Sequence, residues 1–271
     1  MTSLAPLALL TQHGKQFAVQ IALHQAGYAV TTVHGFDTDT LGTFTGETQR
    51  KGSQLDAATT KARLATELSG QRFGLGSEGS FGPDPYVGLT AWAQEILVWW
   101  DAIERRAVFA LTQGPLTNYA QRTVTTWTQA QDFAQEAGFP EHGVVVAKPG
   151  APFFFKEAKG WLDLELQVRA ALAHGPLWLE TDMRAHRNPA RMAMIGQCAQ
   201  ELARILLCAC PSCQRPGFGE DFPIRGAICQ SCRFPTTALR AKTTRCNACG
   251  YSEDTVVQAT VSSSRCDRCN P

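Results

Sequence analysis

Residues 6–33 read PLALLTQHGKQFAVQIALHQAGYAVTTV, and this stretch decides the fold class of the chain. It begins with a short apolar strand at residues 6–11, and helical periodicity follows over residues 14–26. The β-branched run at residues 28–33 predicts a second strand. A strand, a helix and a strand in this order are typical of an α/β domain, in which ligands bind beyond the carboxyl ends of strands.

The same alternation continues up to residue 207. Further strands are predicted over residues 73–77, 96–100, 107–111, 143–147 and 177–180. Helices are predicted over residues 53–68, 128–137, 162–173 and 189–207, with Ser53 and Asn188 as N-caps. A polar loop is predicted over residues 36–51. We therefore predict an α/β body of residues 1–207, built on a mixed central sheet flanked by helices.

The composition argues against several classes of protein. The 271 residues include 25 Lys and Arg against 24 Asp and Glu, so no chain-wide positive field favours non-specific nucleic-acid binding. A hydrophobic fraction of 44% argues against disorder. No apolar run reaches the length of about 18 residues that a membrane span needs. The first residues lack the basic start of a signal peptide, so we expect a cytoplasmic protein with no membrane partner.

Nine of the ten cysteines lie in the last quarter of the chain, and eight of them form four C-x-x-C pairs. Fifteen residues separate the first two pairs and sixteen separate the last two, which is zinc-ribbon spacing. Two thiolates three residues apart share one tight turn, and two such turns complete a tetrahedral site. We predict two structural Zn²⁺ ions in a double zinc ribbon at residues 208–271. The predicted ligands are Cys210, Cys213, Cys229, Cys232, Cys246, Cys249, Cys266 and Cys269.

The spacing leaves open which turns share a metal. Sequential pairing, first with second and third with fourth, is favoured, and a cross-brace or a first-with-fourth closure are the alternatives. Disulfides are disfavoured because no export signal is present. A closed site of four cysteines offers no position for a substrate, so the tail is not expected to be catalytic. Cys198 and Cys208 are expected to pack as small apolar side chains on or beside the last helix.

The cysteine-rich tail is mildly basic. It contains eight Lys and Arg against five Asp and Glu, while the body carries a small negative balance. A small basic ribbon can contact nucleic acid or a protein partner, or it can act as a stabilising cap. We favour the cap and the protein partner over nucleic acid.

Four polar clusters in the body contain the candidate chemistry. Residues 11–15 lie between the end of a predicted strand and the start of a predicted helix. Backbone N–H groups and Lys15 are expected to form a phosphate-binding site there. The alternative is an ordinary helix start with a solvated lysine. Residues 54–63 place Asp56 and Lys61 on the second helix, and the alternative there is a solvated helix face.

The third and fourth clusters also follow strands. Glu78 is flanked by glycines just after a buried strand, so a ligand or a metal can approach closely, and Asp84 adds a second carboxylate. Residues 180–192 contain two acids, three arginines and a histidine at the start of the last helix. This composition suits a site that clamps anions, holds Mg²⁺ or reads a base edge, and a charged helix cap is the alternative.

Taken in this order, the clusters resemble the inosine triphosphate pyrophosphatase superfamily, which includes the inosine/xanthosine triphosphatases. Its strand motif T-x-N-x-x-K resembles TQHGK at residues 11–15, where His13 replaces the asparagine and the lysine comes one residue early. Its helix motif E-N-A-x-x-K-A resembles DAATTKA at residues 56–62. Its acidic loop G-I-E-A-G resembles GSEG at residues 76–79, and its S-H-R motif resembles AHR at residues 185–187.

The resemblance implies an ITPase-like fold and an Mg²⁺-dependent enzyme that releases pyrophosphate from non-standard nucleoside triphosphates. The implied catalytic residues are Glu78, Asp56, Lys61 and Asp182, with Glu78 as the Mg²⁺ ligand and Asp56 or Asp182 beside it. The implied nucleotide contacts are Thr11, His13, Lys15, Arg184, His186 and Arg187. Relatives in this superfamily are often dimers, which makes a homodimer an expectation.

The chain also resembles, over its whole length, an uncharacterised bacterial family with a domain of unknown function. Four stretches show this second resemblance. They are FDTDTLGTFT at residues 36–45, SEGSFGPDP at residues 77–85, TDMRAH at residues 181–186 and the final CNP. Such a family implies no activity. The sequence therefore leaves three functions open: a nucleotide pyrophosphohydrolase, a hydrolase of another phosphorylated small molecule, and a non-enzymatic nucleotide- or nucleic-acid-binding protein whose zinc tail docks a partner.

Overall fold

A computed structural model describes residues 3–34, 52–148 and 155–271. The chain divides into two compact units, Met1–Ala203 and Arg204–Pro271. The division falls inside the last long helix, four residues before the boundary that the composition predicts. The polar loop predicted at residues 36–51 lies outside the described residues. Among the described residues, no helix is both long and apolar enough to cross a membrane.

The first unit is built on a mixed five-stranded sheet in the order β2-β1-β3-β4-β5. Strand β1 runs parallel to both of its neighbours, and β3, β4 and β5 form an antiparallel meander. The prediction of a mixed central sheet is therefore confirmed. The strands are β1 (Ala5–Leu10), β2 (Tyr28–Val33), β3 (Phe73–Pro83), β4 (Ala91–Asp101) and β5 (Arg106–Gly114).

Strand β3 is longer than the sequence predicts. The prediction that this strand ends at Ser77 is wrong, since it continues to Pro83. Pairing with β4 continues without interruption from Phe73 opposite Asp101 to Pro83 opposite Ala91. The glycines that suggest a loop are needed here because other groups pack closely against the strand.

Two glycines of β3 allow a helix to lie directly on the strand. A Cβ at Gly74 would lie 2.0 Å from the carbonyl oxygen of Ala62, and one at Gly76 would lie 1.9 Å from that of Ala58. Both carbonyls belong to α2 (Gln54–Ser69), which begins with a capping box between Ser53 and the third helical residue and ends at a left-handed glycine. Helix α2 therefore covers one face of the sheet at backbone distance.

The opposite face of the sheet contacts α5 (Pro189–Leu207). Asn188 caps this helix through its side-chain oxygen, which accepts from the backbone N–H of Arg191 at 2.9 Å. Further along, the buried Cys198 thiol lies 3.3 Å from the carbonyl oxygens of Glu95 and Ala110. The expectation that Cys198 packs inside the body is confirmed, and burial raises the pKa of its thiol to about 11. The remaining helix beside this sheet is α1 (Gln16–Gln25).

A separate antiparallel sheet completes the first unit. Its order is β6-β8-β7, and its strands are β6 (Gln121–Val124), β7 (Val144–Ala147) and β8 (Leu177–Thr181). Helices α3 (Trp127–Ala137) and α4 (Trp161–Leu172) supply its apolar core through residues such as Phe133 and Leu164. The sequence pattern missed β6, since QRTV is short and mostly exposed. These strands pair with one another in their own sheet.

The second unit is made of short strands and tight turns. Three strands form a sheet in the order β12-β11-β9, and two others pair in parallel. Their bounds are β9 (Glu220–Arg225), β10 (Ile228–Cys229), β11 (Leu239–Arg245), β12 (Ser252–Val256) and β13 (Thr260–Val261). Cys208 directly follows α5 and is partly exposed.

Candidate functional site

The eight paired cysteines form two groups of four. Within each group the sulfur atoms lie within 4.8 Å of one another. The first C-x-x-C pair shares a group with the third, and the second pair shares a group with the fourth. The favoured sequential pairing is therefore wrong, and the cross-brace is the arrangement adopted. The groups are Cys210, Cys213, Cys246 and Cys249, and Cys229, Cys232, Cys266 and Cys269.

Strand length explains the cross-brace. Strand β11 has seven residues, which span about 23 Å at a rise of about 3.3 Å per residue. It follows the second pair and precedes the third, so it separates these two pairs. Antiparallel pairing places Arg245, at the end of β11, opposite Glu220, at the start of β9. The third pair directly follows Arg245, and the first pair precedes β9. The antiparallel pairing therefore brings the third pair back beside the first.

Three of the four pairs share one turn geometry. The residue after the second cysteine is left-handed in each case, with φ of 61° at Gln214, 63° at Arg233 and 77° at Gly250. The N–H of this residue donates to the carbonyl of the first cysteine of its pair. This compact turn aims both thiols to the same side, which explains why C-x-x-C spacing is a strong local signal.

The sulfur geometry fits one tetrahedral metal in each group. Sulfur atoms bound to zinc at about 2.3 Å lie about 3.8 Å apart in a regular tetrahedron. The Cys210–Cys249 and Cys213–Cys246 sulfur pairs lie 3.8 and 3.7 Å apart. In the second group the corresponding separations, Cys229–Cys269 and Cys232–Cys266, are 3.9 and 3.7 Å.

A different cluster lies in the first unit, where β1 ends beside β3. Pairing between these strands stops at Leu75, two residues before Ser77 on the same edge of β3. Lys15 reaches this edge, and its Nζ lies 3.2 Å from Ser77 Oγ and 3.4 Å from the Ser77 carbonyl oxygen. Burial and the positive charge of Arg191 lower the pKa of Lys15 to about 7.

Glu78 lies on the α2 side of β3 and forms a buried ion pair with Lys61. Both side chains are about one-tenth exposed. Gln54 donates to the Glu78 carbonyl at 3.0 Å, so the first turn of α2 also holds the strand. The structure thus brings together Lys15, Lys61 and Glu78, which lie just before α1, on α2 and on β3.

Sequence reasoning missed a second buried ion pair, between Glu95 on β4 and Arg191 on α5. The Arg191 Nε donates to Glu95 Oε1 at 2.6 Å, and the Glu95 side chain is fully buried. The Arg191 guanidinium also donates to the Met183 carbonyl and lies 5.1 Å from the centre of the Phe81 ring. Glu95 sits in an apolar strand pattern with no motif around it, so nothing local in the sequence marks it.

Two histidines from distant clusters stack on each other. The ring centres of His13 and His186 lie 4.8 Å apart, with 23° between the ring planes. Burial lowers the pKa of His13 to about 3, and the nearby His186 adds to this shift because two protonated rings would repel each other. Burial and the charge of Arg184 also lower the pKa of His186. Both rings are therefore neutral at pH 7.

The loop after β8 is held by its own salt bridges. Arg184 donates to both carboxylate oxygens of Asp182 and pairs with Glu157 at 2.7 Å. Arg187 donates to the Ala158 carbonyl at 3.0 Å. The Asp182 side chain is only 2% exposed, so this loop presents an arginine whose carboxylate partners are already bound.

Three other predicted residues serve the local backbone. The Asp56 carboxylate accepts from the N–H and the hydroxyl of Ser53 on an exposed helix start, and these bonds lower its pKa. The Thr11 hydroxyl accepts from the N–H of His13 at 3.2 Å. Asp84, expected as a second carboxylate of the site, accepts four backbone N–H bonds within its own loop, which lower its pKa strongly.

The metal-ligand patterns of the two units differ. Among the described residues, the two cysteine groups are the only sets of three or more Cys, His, Asp or Glu side chains close enough to share a metal. Asp56, Glu78 and Asp182 therefore do not form a three-carboxylate site.

A family model described as a domain of unknown function (DUF6671) matches residues 61–271. The chain belongs to this family. No curated protein and no solved structure matches the chain. The part matched by the DUF6671 model includes Glu78, Glu95, Arg191 and all eight paired cysteines, and it begins at Lys61. The loop that contains His13 and Lys15 lies before it.

Proposed function

We propose that this protein is an Mg²⁺-dependent nucleotide pyrophosphohydrolase whose substrates are non-standard nucleoside triphosphates. The observation that carries the proposal is the convergence of Lys15, Lys61 and Arg191 with Glu78 and Glu95 at one end of the central sheet. When Lys15 is protonated, three cations and two carboxylates lie at this end of the sheet. A net positive, buried cluster of this kind favours a polyphosphate.

The basic residues divide between substrate binding and loop positioning. Lys15 and Lys61 donate to phosphate oxygens, and Lys61 can exchange its pairing with Glu78 for a phosphate. Arg184, which is half-buried and already paired with Asp182, positions the loop that contacts the nucleoside. The catalytic effect comes from orientation and charge neutralisation.

Glu78 is the carboxylate that fits an Mg²⁺ ion in this site. Protein Mg²⁺ sites commonly use one or two carboxylates together with substrate phosphates and waters, so a single buried glutamate suffices. When bound, Mg²⁺ neutralises charge on the phosphates. The exposed capping role of Asp56 and the salt bridge of Asp182 make both weaker candidates for a second ligand.

The stacked histidines provide a neutral surface for a base. His13 and His186 are uncharged at pH 7, so each ring offers one N–H donor and one acceptor nitrogen. This pattern suits the edge of a purine whose amino group is replaced by a carbonyl. Two structural Zn²⁺ ions in the cysteine groups complete the proposal, with the zinc tail as a stabilising cap or as a docking module for a protein partner.

The test is a substrate screen with the purified full-length chain. Pyrophosphate release is measured with Mg²⁺ against ITP, XTP, dUTP and the four canonical NTPs, with EDTA as the metal-free control. We expect turnover of ITP or XTP, and loss of turnover by at least a hundredfold in Glu78→Gln. Glu67→Gln, an exposed residue on the same helix as Lys61, is the matched control and should retain wild-type turnover.

The opposite result identifies a binding protein. If the wild-type chain binds nucleotide but releases no pyrophosphate from any of these substrates, the enzymatic proposal is wrong. Turnover that survives in Glu78→Gln would remove Glu78 from the mechanism.

A further inference from the structure

We propose that Glu95 is the general base of this site, the group that accepts a proton from the attacking water. The inference rests on the proposed function and adds a catalytic residue that no motif contains. Four features of the Glu95 carboxylate carry it: its burial, its unpaired oxygen, its position over a glycine and its orientation by an arginine.

The first two features concern burial and pairing. The Glu95 side chain is fully buried, and its Oε1 accepts from Arg191. Its Oε2 is also buried, and among the described residues it has no hydrogen-bond partner. A buried carboxylate oxygen without a donor is destabilising, so we expect a water or a ligand to supply the missing hydrogen bond.

The third feature is the gap at Gly79, which lies opposite Glu95 in the β3–β4 pairing. A Cβ at Gly79 would lie 2.5 Å from Glu95 Oε1 and 2.5 Å from Arg191 Nη2. The carboxylate therefore lies over the backbone of β3. Beyond this strand is the edge where Lys15 contacts Ser77, and the charge of Glu95 raises the pKa of Lys15 against the opposing effect of burial. The absence of a side chain at Gly79 thus makes room for the Glu95 carboxylate against β3.

The fourth feature is orientation. Arg191 is fixed by the Met183 carbonyl and by the Phe81 ring, and it holds one oxygen of Glu95 through Nε. Arg191 is therefore a positioning residue. Asp101, at the other end of β4, offers a contrast because both of its oxygens accept hydrogen bonds from Arg72. A fully paired carboxylate has no lone pair left for a water, whereas Glu95 keeps one oxygen available.

The chemical step is an attack of water on the α-phosphorus of the nucleotide. The oxygen of a water forms a bond to the α-phosphorus, and the bond from that phosphorus to the bridging oxygen breaks. The bond electrons leave with pyrophosphate, and the proton of the attacking water moves to Glu95 Oε2. Lys15 and Lys61 hold the phosphate oxygens during this step. Glu78 has a different part, since it lies on the other face of β3 and pairs with Lys61.

The experiment separates binding from turnover in Glu95→Gln, which preserves the size of the side chain and an acceptor for Arg191. Affinity is measured by calorimetry with Mg²⁺ and α,β-methylene-ITP, and turnover by pyrophosphate release from ITP. We expect turnover to fall by about 10²- to 10⁴-fold, with affinity changed by less than about threefold. Asp101→Asn, which also removes a buried charge from β4, should destabilise the chain without this selective loss.

Glu95→Ala gives a second readout that a purely structural role would not produce. Added formate can occupy the space of the missing carboxylate, so we expect it to raise the turnover of Glu95→Ala at least tenfold and to leave the wild type unchanged. The base role is overturned if Glu95→Gln keeps its turnover, if it loses affinity in parallel, or if formate has no effect on Glu95→Ala. If the wild type itself has no turnover, the proposed function and this inference fall together.

Discussion

The cysteine groups of the tail and the charged cluster of the body are formed in opposite ways. In the tail, four short turns, three of them of one geometry, each supply two thiols, so every ligand is marked by its neighbour three residues away. The charged cluster of the body draws its residues from five separate segments. They are Lys15, Lys61, Glu78, Glu95 and Arg191. Glu95 has no neighbour in the sequence that marks it as part of a site, and Arg191 is marked only as one of three arginines in residues 180–192.

The difference teaches which part of a site a sequence encodes locally. A C-x-x-C turn fixes its two ligands within one turn of backbone, so spacing alone identifies it. The partner of each turn depends on which strands pair, and for this reason the sequential assignment is wrong. In the charged cluster every contact likewise depends on segments that are separate in the sequence, since strand register and helix packing bring the residues together.

The largest effect is expected in the tail, from paired cysteine substitutions. Cys210→Ser with Cys246→Ser removes two ligands from one group, so one zinc per chain should remain. Cys210→Ser with Cys229→Ser damages both groups, and we expect the zinc to be lost and the tail to unfold, since metal binding supplies about 10 kcal/mol or more to such sites. Metal analysis of the purified variants and limited proteolysis of the tail measure both outcomes.

Sequential pairing would reverse the two results. The Cys210/Cys229 variant would then keep one zinc, and the Cys210/Cys246 variant would keep none. The wild type should contain two zinc ions per chain, and a single one would contradict the two-site arrangement.

The next largest effect tests whether α2 packs directly against β3 beside the charged cluster. Gly76→Ala places a methyl group 1.9 Å from the Ala58 carbonyl, so α2 must move away from β3. We expect a loss of about 3 kcal/mol in the free energy of unfolding, because backbone cannot yield as a flexible side chain does. Urea unfolding measures it.

The matched control lies on the same strand. Gly82→Ala meets nothing within 4 Å, and it should change the unfolding free energy by less than about 0.5 kcal/mol. Equal stability of the two variants would mean that α2 does not lie against β3 at Gly76.

A smaller effect comes from the pH dependence of Lys15. Its folded pKa of about 7 lies below its ordinary value of 10.5, so between these values the unfolded chain binds more protons than the folded chain. The free energy of unfolding should therefore rise with pH in this window, by at most about 1.4 kcal/mol per pH unit from this group. Lys15→Met should remove this rise, while the exposed Lys159→Met should keep it. Unfolding at a pH of about 7.5 and of about 8.5, inside the window, measures the slopes, and parallel slopes in all three proteins would place Lys15 in water.

The smallest effect tests a local signal within the body. The Thr126 side chain caps α3 by accepting from the N–H of Gln129 at 3.3 Å. Thr126→Ala should lower the free energy of unfolding by about 1 kcal/mol. Thr128→Ala, an exposed position inside the same helix, should leave stability unchanged or slightly higher because alanine favours helix. Thermal unfolding compares them, and a loss at Thr128 as large as that at Thr126 would count against the cap.

A helix or strand is predictable from the sequence when the residues that fix its ends lie close to it in the chain. Helix α2 is predictable from Ser53 and Gly70, which mark its ends, and α5 is predictable from its first residue to its last. The end of β3 is misplaced by the sequence pattern because its glycines imitate a loop. Their real reasons, contact with α2 and with the Glu95–Arg191 pair, lie in other segments.

The sequence by itself determined the α/β class of the body, the helix ends and the eight cysteine ligands, because each depends on residues within one or two turns of backbone. Only the tertiary structure decided that the cysteines form a cross-brace, that Asp56 caps a helix while Lys61 meets Glu78, and that Glu95 reaches across Gly79. These features depend on the pairing of β3 with β4 and of β9 with β11, which brings together residues more than one or two turns of backbone apart. Register is set by which strand face is buried and by the connecting turns, so it depends on the packing of the core as well as on the local pattern.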